Sequence, residues 1–233
     1  HYAHKSLEVN TGNLEAYQLL ASLYRITQDK EKAQAILEKL TGLNPLNHFV
    51  RFEKYLSQPN AENKNIFTSA IRNELPHETY LHLADWYYSL GLLRESLEVL
   101  GCSSPHPEVY YWIAFLKGKL KEKDANEFFE KANMLSAEFV FPFRNNSVDV
   151  LNWVISQSSH WKPRYYLGLI YWSRNDQERA KELFTQCGDP DFSAFYAARA
   201  SLMQGDKYTN DLRKAAELNP AEWRYGKMLV DHF

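Results

Sequence analysis

The two histidines of "HETYLH" (77–82) raise the first chemical question, because a zinc-protease helix flanks a glutamate with imidazoles in a similar way. That motif sets its histidines four apart, so both rings leave one helical face toward one ion. Here His77 and His82 are five apart, which turns them about 140° from each other on a 3.6-residue period. His77 also follows Pro76, at or before a helix start. The pair reads as a terminus-proximal histidine and a surface histidine, so no metal ligand is assigned.

Other reactive side chains fare no better. A phosphate loop needs GxxxxGK[ST], and "KGKLKEKDANEFF" (117–129) supplies only Gly118. It reads as a solvated inter-helix turn capped by Asp124. Ser159 and His160 in "SSHWKP" are neighbours in sequence, which is poor geometry for a nucleophile and its base, and there is no GxSxG elbow. Cys102 and Cys187 lie far apart without a CxxC spacing and read as two reduced, buried thiols. "NNS" (145–147) is a formal glycosylation sequon, meaningful only in a secreted eukaryotic setting. Glu31 beside Lys32 and Glu178 beside Arg179 look like solvated charge pairs, and no carboxylate dyad stands out. The expectation is a chain without catalytic residues, cofactor or metal.

Composition narrows the partners. A net charge of −2 over 233 residues gives no basic field for a phosphate backbone, so nucleic acid is not expected. No apolar run approaches the roughly 18 residues that cross a bilayer, so no membrane is expected either. The start, "HYAHKSLEVN", has no signal-peptide apolar region and no initiator Met; it reads as a fragment or processed form. With 9 Gly and 9 Pro the chain is short of the turns an all-β fold needs.

Periodicity supplies the architecture. Tyr80, Leu83, Ala84 and Tyr87 fall on one face of a helix, Gly91 interrupts, and Ser96 and Leu100 resume the spacing. A small residue beside a large one lets two helices approach, ridge into groove. Tyr17, Leu20, Ala21 and Tyr24 repeat the pattern, followed by Ala33, Leu37 and Leu40. So do Tyr110, Ile113 and Ala114 with Ala125, Phe129 and Ala132, and Leu167, Gly168 and Tyr171 with Ala180, Phe184 and Cys187. "YQLLASLY…AQAILEKLTGLNP" resembles the tetratricopeptide repeat, a helix–turn–helix unit of about 34 residues. The likeness covers 13–45, 77–104, 107–137 and 163–187, and more loosely 191–220. Residues 47–75, with periods around Phe49, Phe52, Leu56 and around Ile66, Ala70, and residues 139–159, with Val148, Leu151 and Ile155, are divergent helical units. Residues 1–12 read as the second helix of a truncated unit, which exposes an apolar end open to self-association. The resemblance implies an all-α fold: one right-handed superhelical solenoid of antiparallel hairpins over 1–233, with thirteen or fourteen helices.

It also implies a concave groove lined by set positions of each first helix. Carried over, these are Glu15, Gln18, Ser22 and Arg25; Glu78, Leu81, Asp85 and Tyr88; Glu108, Tyr111, Phe115 and Gly118; and Lys162, Tyr165, Leu169 and Trp172. The Lys and Asn of the carboxylate-clamp type are missing. Two readings of the aromatics stay open: anchors for a ligand, or packing beneath the divergent units. "NPLNHFVRFE", "FVFPFR", "HWKPRYYLGLIYW" and "CGDPDFSAFYAARA" are similar to the C-terminal helical repeat region of large bacterial proteins whose N-terminal part resembles the β-sandwich of sugar enzymes. The functions implied are a protein-interaction or scaffolding module binding a protein, a peptide or the missing N-terminal part, or alternatively an accessory domain of a carbohydrate-processing enzyme.

Overall fold

A computed structural model describes residues 2–231, and among them every regular element is helical, as the periodicity requires. The chain divides into two compact units at Ser104/Pro105 where the sequence reads a single array. Pro105 and Pro107 sit at this boundary, and Pro cannot continue a helix from its own N-terminal side.

The first unit holds α1 (Tyr2–Val9), α2 (Leu14–Ile26), α3 (Lys30–Leu43), α4 (His48–Ser57), α5 (Ala61–Ser69), α6 (Pro76–Ser89) and α7 (Leu93–Leu100). Helices α2 and α3, α4 and α5, and α6 and α7 pair in sequence order. Their starts are written in polar residues. Asn13, Asp29, Asn47 and Asn60 each accept a backbone N–H of the first turn, satisfying a donor that the helix leaves over. Between hairpins the filling is aromatic. Phe52 lies 5.0 Å from Phe67 and 5.6 Å from Tyr87, and Phe67 lies 5.7 Å from Tyr80, ring centre to ring centre. The core of 47–75 therefore runs through Phe49, Val50, Phe52 and Phe67; Leu56 is half-buried and Ile66 faces solvent, against the expected face.

The second unit holds α8 (Pro107–Lys119), α9 (Ala125–Met134), α10 (Ser147–Gln157), α11 (Trp161–Ser173), α12 (Gln177–Thr185), α13 (Ser193–Ala200), α14 (Asp206–Leu218) and α15 (Trp223–Val230). Helices α8 and α9, α11 and α12, and α13 and α14 are hairpins; α10 contacts both α8 and α11, and α15 packs on α14. The last helix makes fifteen among the described residues, where the resemblance implied thirteen or fourteen. Its residues carry no consensus pattern, and none is buried. In α10 the buried line is Ser147, Val150, Leu151 and Val154, a register shift from the expected Val148, Leu151 and Ile155.

Four hairpin turns share one geometry. Gln28, Gly91, Lys121 and Asn175 all have φ between 59° and 75°, the left-handed region. In each, the next residue's N–H reaches back five places: Asp29 to Tyr24, Leu92 to Tyr87, Glu122 to Lys117 and Asp176 to Tyr171, at 2.9–3.0 Å. This is the Schellman closure, which satisfies carbonyls left over at the end of the first helix. Asp124 does not cap α9 through its side chain; its carboxylate binds the Lys117 ammonium at 2.9 Å instead. The expected pairs of sequence neighbours are also replaced. Lys32 binds Asp29 and Arg179 binds Asp176, because residues one apart on a helix do not face each other and residues three apart do.

The small residues are needed where they stand. A Cβ added at Gly168 would lie 2.4 Å from the Phe184 ring, and one at Gly118 would lie 2.4 Å from Trp153. Both helices approach closely only because the side chain is absent.

Candidate interaction site

The predicted groove residues of α2 are the first to be placed. Ser22 is buried, whereas Arg25 is half-buried and borders two clefts. The Glu53 carboxylate of α4, 1% exposed, accepts Ser22 Oγ at 2.5 Å, Tyr87 OH at 2.8 Å and Arg25 Nε at 2.7 Å. Arg25 Nη2 is shared between Glu53 Oε1, at 3.5 Å, and Glu95 of α7, at 3.1 Å. Four helices thus meet on one carboxylate and one guanidinium. Burial, followed by the adjacent Glu53 charge, pushes the Tyr87 hydroxyl well above its ordinary range, so it stays a proton donor to Glu53.

The same displacement occurs in the second unit. Glu108 is buried and accepts Ser147 Oγ of α10 at 2.8 Å, and Ser147 in turn accepts the Trp112 indole at 3.2 Å. Phe115 meets Trp153 of α10 edge-on at 5.9 Å, and Gly118 lies under the same indole. Tyr111 is wholly buried and donates to Asn133 Oδ1 at 2.7 Å. The divergent helix α10 covers Glu108 and Phe115, and α9 and α11 enclose Tyr111, so all three are interior residues and are corrected as groove contacts. Leu81, with no exposed surface, is corrected likewise.

In α11 the correction has two forms. The Lys162 ammonium donates to the carbonyls of Asn133, at 2.5 Å, and Leu135, so it closes the C-terminal end of α9. Desolvation draws its pKa below the usual lysine value. Tyr165 sits in a ring of Phe184, Phe192 and Phe195, each at 5.8 Å. The remaining candidates keep some surface. Glu78, Asp85 and Tyr88 in α6, and Leu169 and Trp172 in α11, are half-buried. Trp172 touches Phe184 edge-on at 6.3 Å, so one side of its indole packs and the rest stays accessible.

The side chains considered for chemistry are scattered. His77 lies beside Glu78 at 3.5 Å, and His82 is exposed. His160 caps α11, its ring accepting the Lys162 N–H at 3.3 Å, and takes up that role rather than facing Ser159. Among the described residues, no three His, Cys, Asp or Glu groups converge as a metal site, and no helix is long and apolar enough to cross a membrane. Burial pushes the Cys187 thiol up to about 12, which suppresses the reactive thiolate.

A surface that the sequence did not single out lies elsewhere in the first unit. Helix α3 and the α4–α5 hairpin bound a cleft of about 750 Å³ whose walls include Lys30, Ala33, Gln34, Leu37 and Lys54. It ends at Arg25 and Leu56, which also border an adjoining cleft of about 380 Å³ with Tyr55, Arg94, Glu95 and Glu98. Exposed polar residues at helix ends, such as Lys30 at the start of α3 and Lys54 at the end of α4, carry no periodic signal, which is why the sequence did not mark it.

Residues 14–45 match the tetratricopeptide repeat family, and this segment contains α2 and α3 entire. No curated protein matches the chain. Among solved structures it is similar to YrrB, a TPR protein with an unusual peptide-binding site, at 12% identity, covering 98% of this chain and 97% of that one with a TM-score of 0.34. It is also similar to a tetratricopeptide repeat protein from Parabacteroides merdae (16% identity, 93% and 97% covered, TM-score 0.33). A third is pilF of Pseudomonas aeruginosa (13% identity, 94% and 97% covered, TM-score 0.33).

Proposed function

We propose that this chain is a non-catalytic interaction module that binds a protein or peptide. The observation that carries the reading is the open cleft of about 750 Å³ beside the matched repeat, in a molecule whose buried Glu53, Glu108 and Lys162 are all bound to structural partners. Pockets that enclose a ligand run from about 300 to 1,000 Å³, and this one falls inside that range. Buried polar groups committed to one another hold the hairpins in register. The partner we infer is a protein or peptide segment, and another part of a larger bacterial polypeptide belongs to that class. Tyr88, Asp85, Glu78, Leu169 and Trp172 are the first-helix residues proposed as contacts, since each keeps accessible surface.

The test sets peptide arrays against glycan arrays with the full chain. Binding to a subset of peptides, silence across the glycans, and weaker peptide binding by Tyr88→Ala or Trp172→Ala at an unchanged melting temperature are the expected results. Glycan binding instead would favour the carbohydrate-accessory alternative. A Trp172→Ala midpoint several degrees lower would assign that ring to packing, and turnover abolished by one point change would end the non-catalytic reading.

A further inference from the structure

The charge distribution of the α3/α4–α5 cleft is one-sided. Lys30 enters from the first turn of α3 and Lys54 from the last turn of α4, both exposed. Among the described residues neither has a carboxylate within ion-pair reach, and no lining side chain is acidic. Of the acids on the same hairpin, Asp29 holds Lys32 at 2.7 Å and Glu38 accepts the Gln34 amide at 2.8 Å, while Glu15 and Glu31 are exposed outside the cleft lining. Arg25, at one end, is matched by Glu53 and Glu95, so the uncompensated charge belongs to the two lysines. Gln28, Ser57 and Gln58 add hydrogen-bonding groups along the walls, and the buried Ala33 and Leu37 contribute an apolar floor.

We propose that this cleft docks an extended acidic peptide segment, an assignment that rests on the interaction reading above and names its partner chemistry. Carboxylates of the peptide would pair with Lys30 and Lys54, while amides and hydroxyl bond its exposed backbone, the division of labour of strand-like peptide recognition. Nucleic acid fits less well: no aromatic side chain lines the cleft for base stacking, and the net charge of −2 leaves no wider basic field. The site is carried by the second helix of the matched repeat and the next hairpin, with Arg25 of α2 at one end.

The experiment is fluorescence anisotropy on the full chain with a labelled peptide of four Glu-Ser repeats, its Gln-Ser counterpart, and a short oligonucleotide. The Glu-Ser peptide is expected to bind, to weaken as salt rises, and to lose about tenfold in affinity in the Lys30→Glu/Lys54→Glu double variant. Both lysines are exposed, so the variant keeps the wild-type melting temperature, and Lys181→Glu in the second unit is the control that leaves binding unchanged. Equal binding of the Gln-Ser peptide, indifference to the double variant, or a tighter, lysine-dependent oligonucleotide would each overturn the proposal. If acidic peptides fail while array peptides still bind through Tyr88 or Trp172, this inference falls and the interaction reading stands.

Discussion

Glu53 shows how much one side chain decides. Its carboxylate is nearly sealed from water and accepts four hydrogen bonds from α2 and α6, two of them charge-assisted by Arg25. Breaking a buried pair leaves its other member uncompensated, at a cost of about 3–5 kcal/mol. Glu53→Ala is therefore expected to lower chemical stability by an amount in that range, whereas Glu53→Gln, which keeps the shape and part of the bonding, loses less; urea unfolding measures both. Tyr55 offers a pH handle nearby. Its hydroxyl donates to Glu98 Oε1 at 2.6 Å, and that bond, with burial and the Glu98 charge, raises its pKa to about 12. A raised folded value means that the contribution is complete below the ordinary tyrosine pKa of about 10 and fades as pH climbs toward 12. The stability difference between wild type and Tyr55→Phe should accordingly be constant at neutral pH and shrink between pH 10 and 12. A difference that grew over that window would contradict the bond's role.

At the scale of elements, the recurring turn is the most exposed to test. Holding an L-residue in the left-handed region costs about 1–2 kcal/mol, and Gly escapes that cost. Of the four matched turns, Gly91 escapes that cost, Asn175 is a type that tolerates the region, and Lys121 and Gln28 are not. Lys121→Gly should stabilise by about 0.5–1 kcal/mol after the unfolded chain's added freedom is counted, and Gly91→Ala should destabilise by about 1 kcal/mol; paired thermal melts decide. A general entropic cost of glycine predicts the reverse sign at each site, so the direction of the two changes separates the accounts. Such elements were legible in the sequence for a physical reason. Ala21, Ala84, Ala114 and Gly168 mark close helix contacts directly, because only a small side chain fits there, and the four hairpins around them follow. What covers each first helix was not legible. Nothing in Ser22 and Arg25 announces that a glutamate about thirty residues later will dock on them, and nothing in Phe115 or Gly118 announces Trp153. Of the residues expected in the groove, Leu81, Glu108, Tyr111, Phe115, Lys162 and Tyr165 are interior.

For the molecule as a whole, nearest-neighbour packing makes stability local. A repeat unit touches mainly the units beside it, so a chain of such units behaves as a one-dimensional array whose parts open at different free energies. Division at Ser104/Pro105 sharpens this expectation, since contacts concentrate within each unit. Glu53 joins α2, α4 and α6, and through Arg25 reaches α7, all of them in the first unit. Native-state hydrogen exchange followed by mass spectrometry should therefore show Glu53→Ala accelerating amides of α2, α4, α6 and α7. Exchange in α13 and α14, which the Arg199–Asp211 pair and the Phe195 ring cluster hold, should rise far less. Equal acceleration in both units would mean that exchange proceeds through one global opening, in which case the loss of a single carboxylate is felt everywhere because all fifteen described helices unfold together. Unequal acceleration would place the boundary between cooperative units where the contacts already divide, and would make Glu53 the fastener of the half that carries the cleft.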